Sequence, residues 1–245
     1  MRSELEKLRS LATSIGREDL RKVVEKLLEN PELSISSAKP LISLEECPAA
    51  PRKHHAFRGG LALHTLSVAK LALALARILE EVYGIEVDKD LVLATAILHD
   101  LYKLYQYDRD PVEGGYRARE DWYLSHDYAL IAQLGYMKAP EDLIRTSSEV
   151  HGIAPITTFE GLIVHLADSV DARIGEYVQN IVLSRIKIVE NEGCKPFRVF
   201  LELVDRYGLP NIVKKALGNP DELRSLAIEV CRSLKGQNID PSSRL

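Results

Sequence analysis

The chain has 245 residues, 46% hydrophobic and 28% charged, with a formal net charge of −4. That is enough apolar material for a real core, and the charge excludes a global field that draws in nucleic acid, so any such binding needs a local basic patch. The N-terminus Met-Arg-Ser-Glu-Leu-Glu-Lys has no apolar signal core, and the longest apolar stretches are too short or too interrupted by His and Asp to span a bilayer, so no membrane partner is expected.

Residues 2–29 read as two helices separated near Ser14-Ile-Gly16. A connector with Pro31, Pro40, Pro48 and Pro51 follows. Apolar residues at helical spacing then predict helices over 60–83, 88–105, 125–137, 140–151 and 158–187. After a break at Asn191-Glu-Gly193, three more helices are expected over Pro196–Tyr207, Pro210–Leu217 and Pro220–Leu234. No segment alternates with period two for long enough to claim a sheet, so the fold class is all-α. The expected organisation is N-terminal helices and connector over 1–53, a core over 54–187 and a C-terminal helical extension over 188–245, whose polar tail from Gly236 should fray. Cys47, Cys194 and Cys231 are far apart with no C-x-x-C pairing and are expected to be reduced, buried side chains of a cytoplasmic protein.

Four of the seven histidines and two aspartates form one ordered series: His64, His99-Asp100, His126, His151 and Asp168. All lie on or beside helical segments. His64 belongs to the inward stripe that continues through Leu71, Leu75 and Ile78. Asp88 is a plausible N-cap for the almost wholly apolar run Leu91–Leu98 that leads into His99-Asp100. Burying a His and an Asp there is costly unless both are paired or bound to metal. Ser125 is a possible N-cap before His126, Gly152 stops the helix that ends at His151, and Thr157 with Glu160 has capping-box spacing ahead of Asp168. Singly, each residue reads as structural. Jointly, imidazoles and carboxylates from five segments suit divalent transition metals such as Mn, Fe, Co, Ni or Zn. Six ligands are too many for one catalytic ion with an open position and about right for two ions sharing Asp100.

The stretch Tyr105–Leu124 lies between two ligand-bearing helices and carries Arg109, Arg117, Arg119, Trp122 and Tyr123. It reads either as a lid whose arginines and rings meet phosphate and base, or as a loop packed onto the helices. His54 and His55 precede a Gly-Gly turn into a helix, a good place to meet an anion. His165, one turn before Asp168, reads as a supporting or core residue.

The order His64, His99-Asp100, Asp168 resembles the HD-domain superfamily of metal-dependent phosphohydrolases. The likeness runs over about residues 18–180. His54-His55-Ala-Phe-Arg-Gly59-Gly60-Leu-Ala-Leu-His64-Thr, Leu98-His99-Asp100-Leu-Tyr-Lys103 and Leu166-Ala-Asp168-Ser-Val-Asp171-Ala172 are similar to blocks of the YhaM-type 3′→5′ exoribonucleases. Departures are Leu63 in place of an acidic residue and HDLYK in place of HDIGK. The 53 residues ahead of His54 read as helix and leave no room for the OB-fold of those enzymes.

The resemblance implies an HD-type helical bundle and hydrolysis of a phosphoester. His64, His99, Asp100 and Asp168 would hold one metal, and Asp100 would bridge to a second held by His126 and His151. Asp100, Lys103 and His55 are the expected catalytic groups. His54, Arg58, Arg117, Arg119, Trp122 and Asp171 are the expected substrate contacts. The expected substrate is a nucleotide or short oligonucleotide phosphodiester. A nucleoside monophosphate, as for a 5′-nucleotidase, or a regulatory module without turnover, are the alternatives, and a homo-oligomer is left open.

Overall fold

The computed structural model describes residues 3–237. Helices α1 (Glu4–Ala12) and α2 (Glu18–Glu29) form as expected, the first closed by a capping box between Ser3 and Glu6. The connector leads to α3 (Gly60–Tyr83), which starts at Gly59 and stops at Gly84, both with positive φ. This helix is long and apolar enough to cross a membrane, with a mean hydropathy of 1.5 over its best window. The expectation that no stretch reaches that threshold is therefore corrected. In this fold α3 is instead the central strut, packed against α7 and α4, and half of that window is buried.

Helix α4 (Lys89–Leu98) begins where expected, because the Asp88 carboxylate accepts from the backbone N–H groups of Asp90 and Leu91. The single helix expected over 88–105 is divided. α4 ends at Leu98 with His99 as its C-cap, and Leu101–Tyr105 is a 3-10 turn. The break has a use: neighbouring residues on a continuous α-helix point about 100° apart, whereas His99 and Asp100 here aim at one point.

The stretch that showed no period-two pattern contains a short antiparallel hairpin, β1 (Tyr107–Arg109) with β2 (Tyr116–Ala118), in register Tyr107↔Ala118. Three-residue strands are too short to show an alternation. Helices α5 (His126–Tyr136), α6 (Glu141–Val150) and α7 (Phe159–Ile186) follow the expected spans. Their caps differ in part. The Ser125 side chain makes no capping bond, and α7 is capped by Thr158, whose hydroxyl accepts from Gly161 N–H. Thr157 and Glu160 are engaged elsewhere: Thr157 donates to Glu149, and Glu160 accepts from Asp88 N–H.

Helices α8 (Pro196–Tyr207), α9 (Leu209–Gly218) and α10 (Pro220–Gln237) complete the described chain. The tail expected to fray lies, beyond Gln237, outside the described residues. One core cluster joins α1–α6 with the first half of α7, and a second joins the end of α7 to α8–α10 and Phe57. The cysteine expectation is also corrected. Cys194 and Cys231 form a disulfide, because the turn before α8 lies against α10; only Cys47 is a free, buried thiol among the described residues.

Candidate metal centre

Five helices deliver the series to one place. His64 projects from α3, Asp168 from α7, and His99-Asp100 from the broken end of α4. His126 opens α5 and His151 closes α6. Asp100 is fully buried and at the middle of the group. Its Oδ2 lies 3.4 Å from His64 Nε2 and 3.5 Å from His99 Nε2, and its Oδ1 lies 3.1 Å from His126 Nε2 and 3.4 Å from His151 Nε2. Asp168 Oδ1 stands 3.1 Å from His64 Nε2 and 3.7 Å from His99 Nε2.

These spacings fit the edges of two coordination shells sharing Asp100. Ligand atoms about 2.1 Å from a common cation lie roughly 3.0–3.4 Å apart at ordinary coordination angles. The ligand atoms of His64, His99, Asp100 and Asp168 lie within 4.8 Å of one another, as do those of Asp100, His126 and His151. Five of the converging atoms, His64 Nε2, His99 Nε2, Asp100 Oδ1, His126 Nε2 and His151 Nε2, are buried without a hydrogen-bond partner. Leaving one buried polar atom unsatisfied costs about 1–3 kcal/mol. Five aimed at one another are a cost that a bound cation removes, and a mixed imidazole and carboxylate set suits a divalent transition metal.

The far sides of the rings are tied down. His64 Nδ1 donates to Asp171 at 2.7 Å, His99 Nδ1 to the Ala96 carbonyl at 2.8 Å and His126 Nδ1 to Gln106 at 3.1 Å. A proton held on Nδ1 leaves Nε2 bare, the form a metal ligand needs. Burial opposes charge on His64, but Asp100, Asp168 and Asp171 outweigh it and hold its pKa up at about 10. Burial would raise the Asp100 and Asp168 carboxyls, yet Lys103 and the imidazoles hold Asp100, and the imidazoles hold Asp168, well below the usual range. At His126 burial wins and lowers the pKa, while at His151 the two aspartates win and raise it. Without a cation, protons on imidazole answer the carboxylates; metal binding displaces them.

Lys103 Nζ sits 2.5 Å from Asp100 Oδ2. His54 and His55 lie beside His64, with ring centroids 5.2 and 5.5 Å away. His55 has φ of 45° and is enclosed by two glycines. A Cβ on Gly60 would stand 1.9 Å from the His55 carbonyl oxygen, and one on Gly175 would stand 2.2 Å from its ring. His55 Nε2 faces Asp171 at 3.7 Å, and the Nδ1 atoms of His54 and His55 are 3.1 Å apart. With the His55 proton on Nε2, its Nδ1 accepts from His54 Nδ1–H, which leaves His54 Nε2 as an acceptor. Burial pushes both of these imidazoles down to about 4. Gln179, whose type and position gave no signal in the sequence, holds this loop through Ala56 N–H and the carbonyls of Arg52 and Lys53.

The structure thus brings His54, His55, His64, His99, Asp100, Lys103, His126, His151, Asp168 and Asp171 together. Four expected substrate contacts stand apart from this group. Arg119 binds Asp121 and the Lys39 carbonyl; Trp122 stacks near Tyr105 at 5.2 Å; Arg117 faces Asp108 and Glu120; Arg58 lines a separate cleft with Arg109 and Arg198. The hairpin is tied to the connector through Arg119 at the Lys39 carbonyl and Arg109 at Glu46.

The HD domain model matches residues 61–173. The dihydroneopterin 2′,3′-cyclic phosphate phosphodiesterase of Methanocaldococcus jannaschii is 37% identical over 206 residues, 80% of this chain and 82% of that protein. The 3′-5′ exoribonuclease YhaM of Bacillus subtilis is 34% identical over 156 residues, 57% of this chain but 46% of that protein, and the Bacillus velezensis enzyme of the same name is 33% identical over the same span. No solved structure matches the chain.

Proposed function

Because the chain belongs to the HD-domain family of metal-dependent phosphohydrolases, we propose that it is a phosphodiesterase acting on a small nucleotide-like diester through two divalent transition metals. The observation that carries this reading is the convergence of four buried, unpartnered imidazole nitrogens on the two oxygens of Asp100. His64, His99, Asp100 and Asp168 would hold one cation, and Asp100, His126 and His151 the other. When bound, such cations supply Lewis acidity to the phosphate and make water a competent nucleophile near neutral pH.

The chain's own groups do the rest. Lys103 carries a positive charge to the phosphoryl oxygens, where charge accumulates as water adds to phosphorus and an ester P–O bond breaks. His54, with Nε2 as acceptor, orients the attacking water or a neighbouring hydroxyl. His55, enclosed by glycines, acts as a positioning residue between Asp171 and His54. Asp171 fixes His64 for metal and His55 for His54 through the same carboxylate.

A cyclic diester is the favoured substrate. It is the substrate named for the M. jannaschii relative, which this chain matches over most of both lengths, whereas the YhaM enzymes share less than half of theirs. A nucleoside or pterin 2′,3′-cyclic phosphate is therefore preferred to long RNA. The test is hydrolysis by Mn²⁺-loaded protein of bis(p-nitrophenyl) phosphate, nucleoside 2′,3′-cyclic phosphates, nucleoside monophosphates and short RNA. Diesters should be cleaved and monophosphates left intact. Release of inorganic phosphate from monophosphates with diesters untouched would establish a nucleotidase instead.

A further inference from the structure

Beside His151 and Asp168 the surface opens into a cavity of about 540 Å³, whose wall continues through His165, Ala154, Pro155 and Ile156. The volume lies within the roughly 300–1,000 Å³ usual for small-molecule sites. Its outer wall is apolar and its inner edge carries two of the candidate ligands, so a group held there is next to the reacting phosphate.

Three further polar side chains line the cavity, Glu149, His165 and Ser169, and the first two differ in what they can offer a ligand. Glu149 has both carboxylate oxygens occupied by Thr157 and Thr158, which fixes the turn into α7 and leaves the carboxylate little capacity for a ligand. His165 is held on one side only. Its Nδ1 lies 2.8 Å from the Val150 carbonyl oxygen. A carbonyl can only accept, so Nδ1 carries a proton, and with that tautomer Nε2 is the atom free to accept. Nε2 has no hydrogen-bond partner among the described residues. This lining disfavours phosphate: an anion here would face Asp168, Glu149 and an imidazole lone pair. It suits a flat, neutral ring that lies on Pro155 and Ile156 and carries an N–H.

We propose that this cavity is the subsite for the heteroaromatic part of the substrate, and that His165 Nε2 accepts a hydrogen bond from a ring N–H or exocyclic amine. The inference rests on the phosphodiesterase reading and adds a specificity-determining residue to it. The ring enters the cavity while the phosphate stays over Asp100.

The test compares two substrates with the same reacting group, guanosine 2′,3′-cyclic phosphate and 1-O-methylribose 2′,3′-cyclic phosphate, which has no base. His165→Phe keeps a ring and removes the acceptor, His165→Gln restores an acceptor, and Ile156→Trp fills the cavity from its rim. The preference in kcat/KM for the guanosine substrate should fall about tenfold in His165→Phe, equivalent to about 1.4 kcal/mol. The loss should appear in KM, with partial recovery in His165→Gln and a similar fall in Ile156→Trp. An unchanged preference in His165→Phe and Ile156→Trp, or equal losses on both substrates, would overturn the proposal. If wild-type protein hydrolyses neither compound, the diesterase reading fails separately. Calorimetric binding of guanosine 2′-monophosphate to the metal-loaded protein then decides the subsite: tenfold weaker binding in His165→Phe supports it, and equal binding overturns it.

Discussion

His64 and His99 keep no exposed side-chain surface, whereas His126 and His151 keep 18% and 20%. The first pair is embedded in the packed core of α3 and α4, with its Nδ1 atoms held at 2.7 and 2.8 Å. The second pair sits at the ends of α5 and α6; His126 is held by one glutamine at 3.1 Å, and His151 Nδ1 reaches only Asp168, at 3.8 Å. The two halves share Asp100 and differ in how firmly the fold defines them. Enclosed, doubly tied ligands lose little freedom when a cation binds, so the buried half should hold its metal tightly. The half at the helix ends, which opens toward the cavity, should exchange its metal and admit substrate.

Asp100 is the one group that belongs to both halves, so changing it has the largest effect. Asp100→Asn keeps the shape and removes the charge that two cations would share. Turnover of a diester in saturating Mn²⁺ should fall on the order of 10³-fold or more, measured with bis(p-nitrophenyl) phosphate. Near wild-type turnover would reduce Asp100 to a structural role. Of the two halves, Asp171→Asn touches only the buried one, through His64. Metal affinity at that half should fall about 10–100-fold, the usual effect of losing a hydrogen-bonded partner of a ligand, with the other half unchanged in a titration that resolves the two.

The buried half also carries the clearest pH dependence in metal-free protein. His64 is raised from its ordinary 6.5 to about 10 by three carboxylates. In this window the folded state binds the extra proton. The stability it contributes is full below pH 6.5 and is lost as pH rises toward 10. The melting temperature of the metal-free protein should therefore fall between pH 7 and 10. The metal-loaded protein should lack this component, because a cation then takes the proton's place. A flat profile in the metal-free protein would contradict this electrostatic account. The smallest effect is expected outside both halves. Arg117 faces Asp108 and Glu120 and is half exposed, so Arg117→Ala should change KM for a cyclic diester by less than about threefold. A tenfold rise would return the hairpin to the substrate path.

The residues that make the two halves were legible because their chemistry is unusual for their setting. An imidazole or carboxylate within or beside an apolar run such as Leu91–Leu98 is conspicuous, and helical spacing placed His64 inward. What holds them was not legible. Asp171 reaches His64 across 107 positions and Gln179 reaches Arg52 across 127; no local pattern encodes such a partner. The break at His99-Asp100 was hidden because the residues after it keep a helical apolar pattern and only tertiary packing turns them. The arginines of the hairpin looked like phosphate ligands until their carboxylate partners were seen, and the Cys194–Cys231 pair had no spacing signal. Helical periodicity carried the all-α class, since helix spans depend on short-range spacing.

The proposed centre holds two cations unequally on one bridging aspartate. It is tested most directly by metal analysis during stepwise chelation of Mn²⁺-loaded wild-type protein and of the His126→Ala/His151→Ala variant. The account predicts two metals per wild-type chain, released in two steps, and one metal per chain in the variant, retained through the first step. A single metal in both proteins, or two that leave together from wild type, would contradict it.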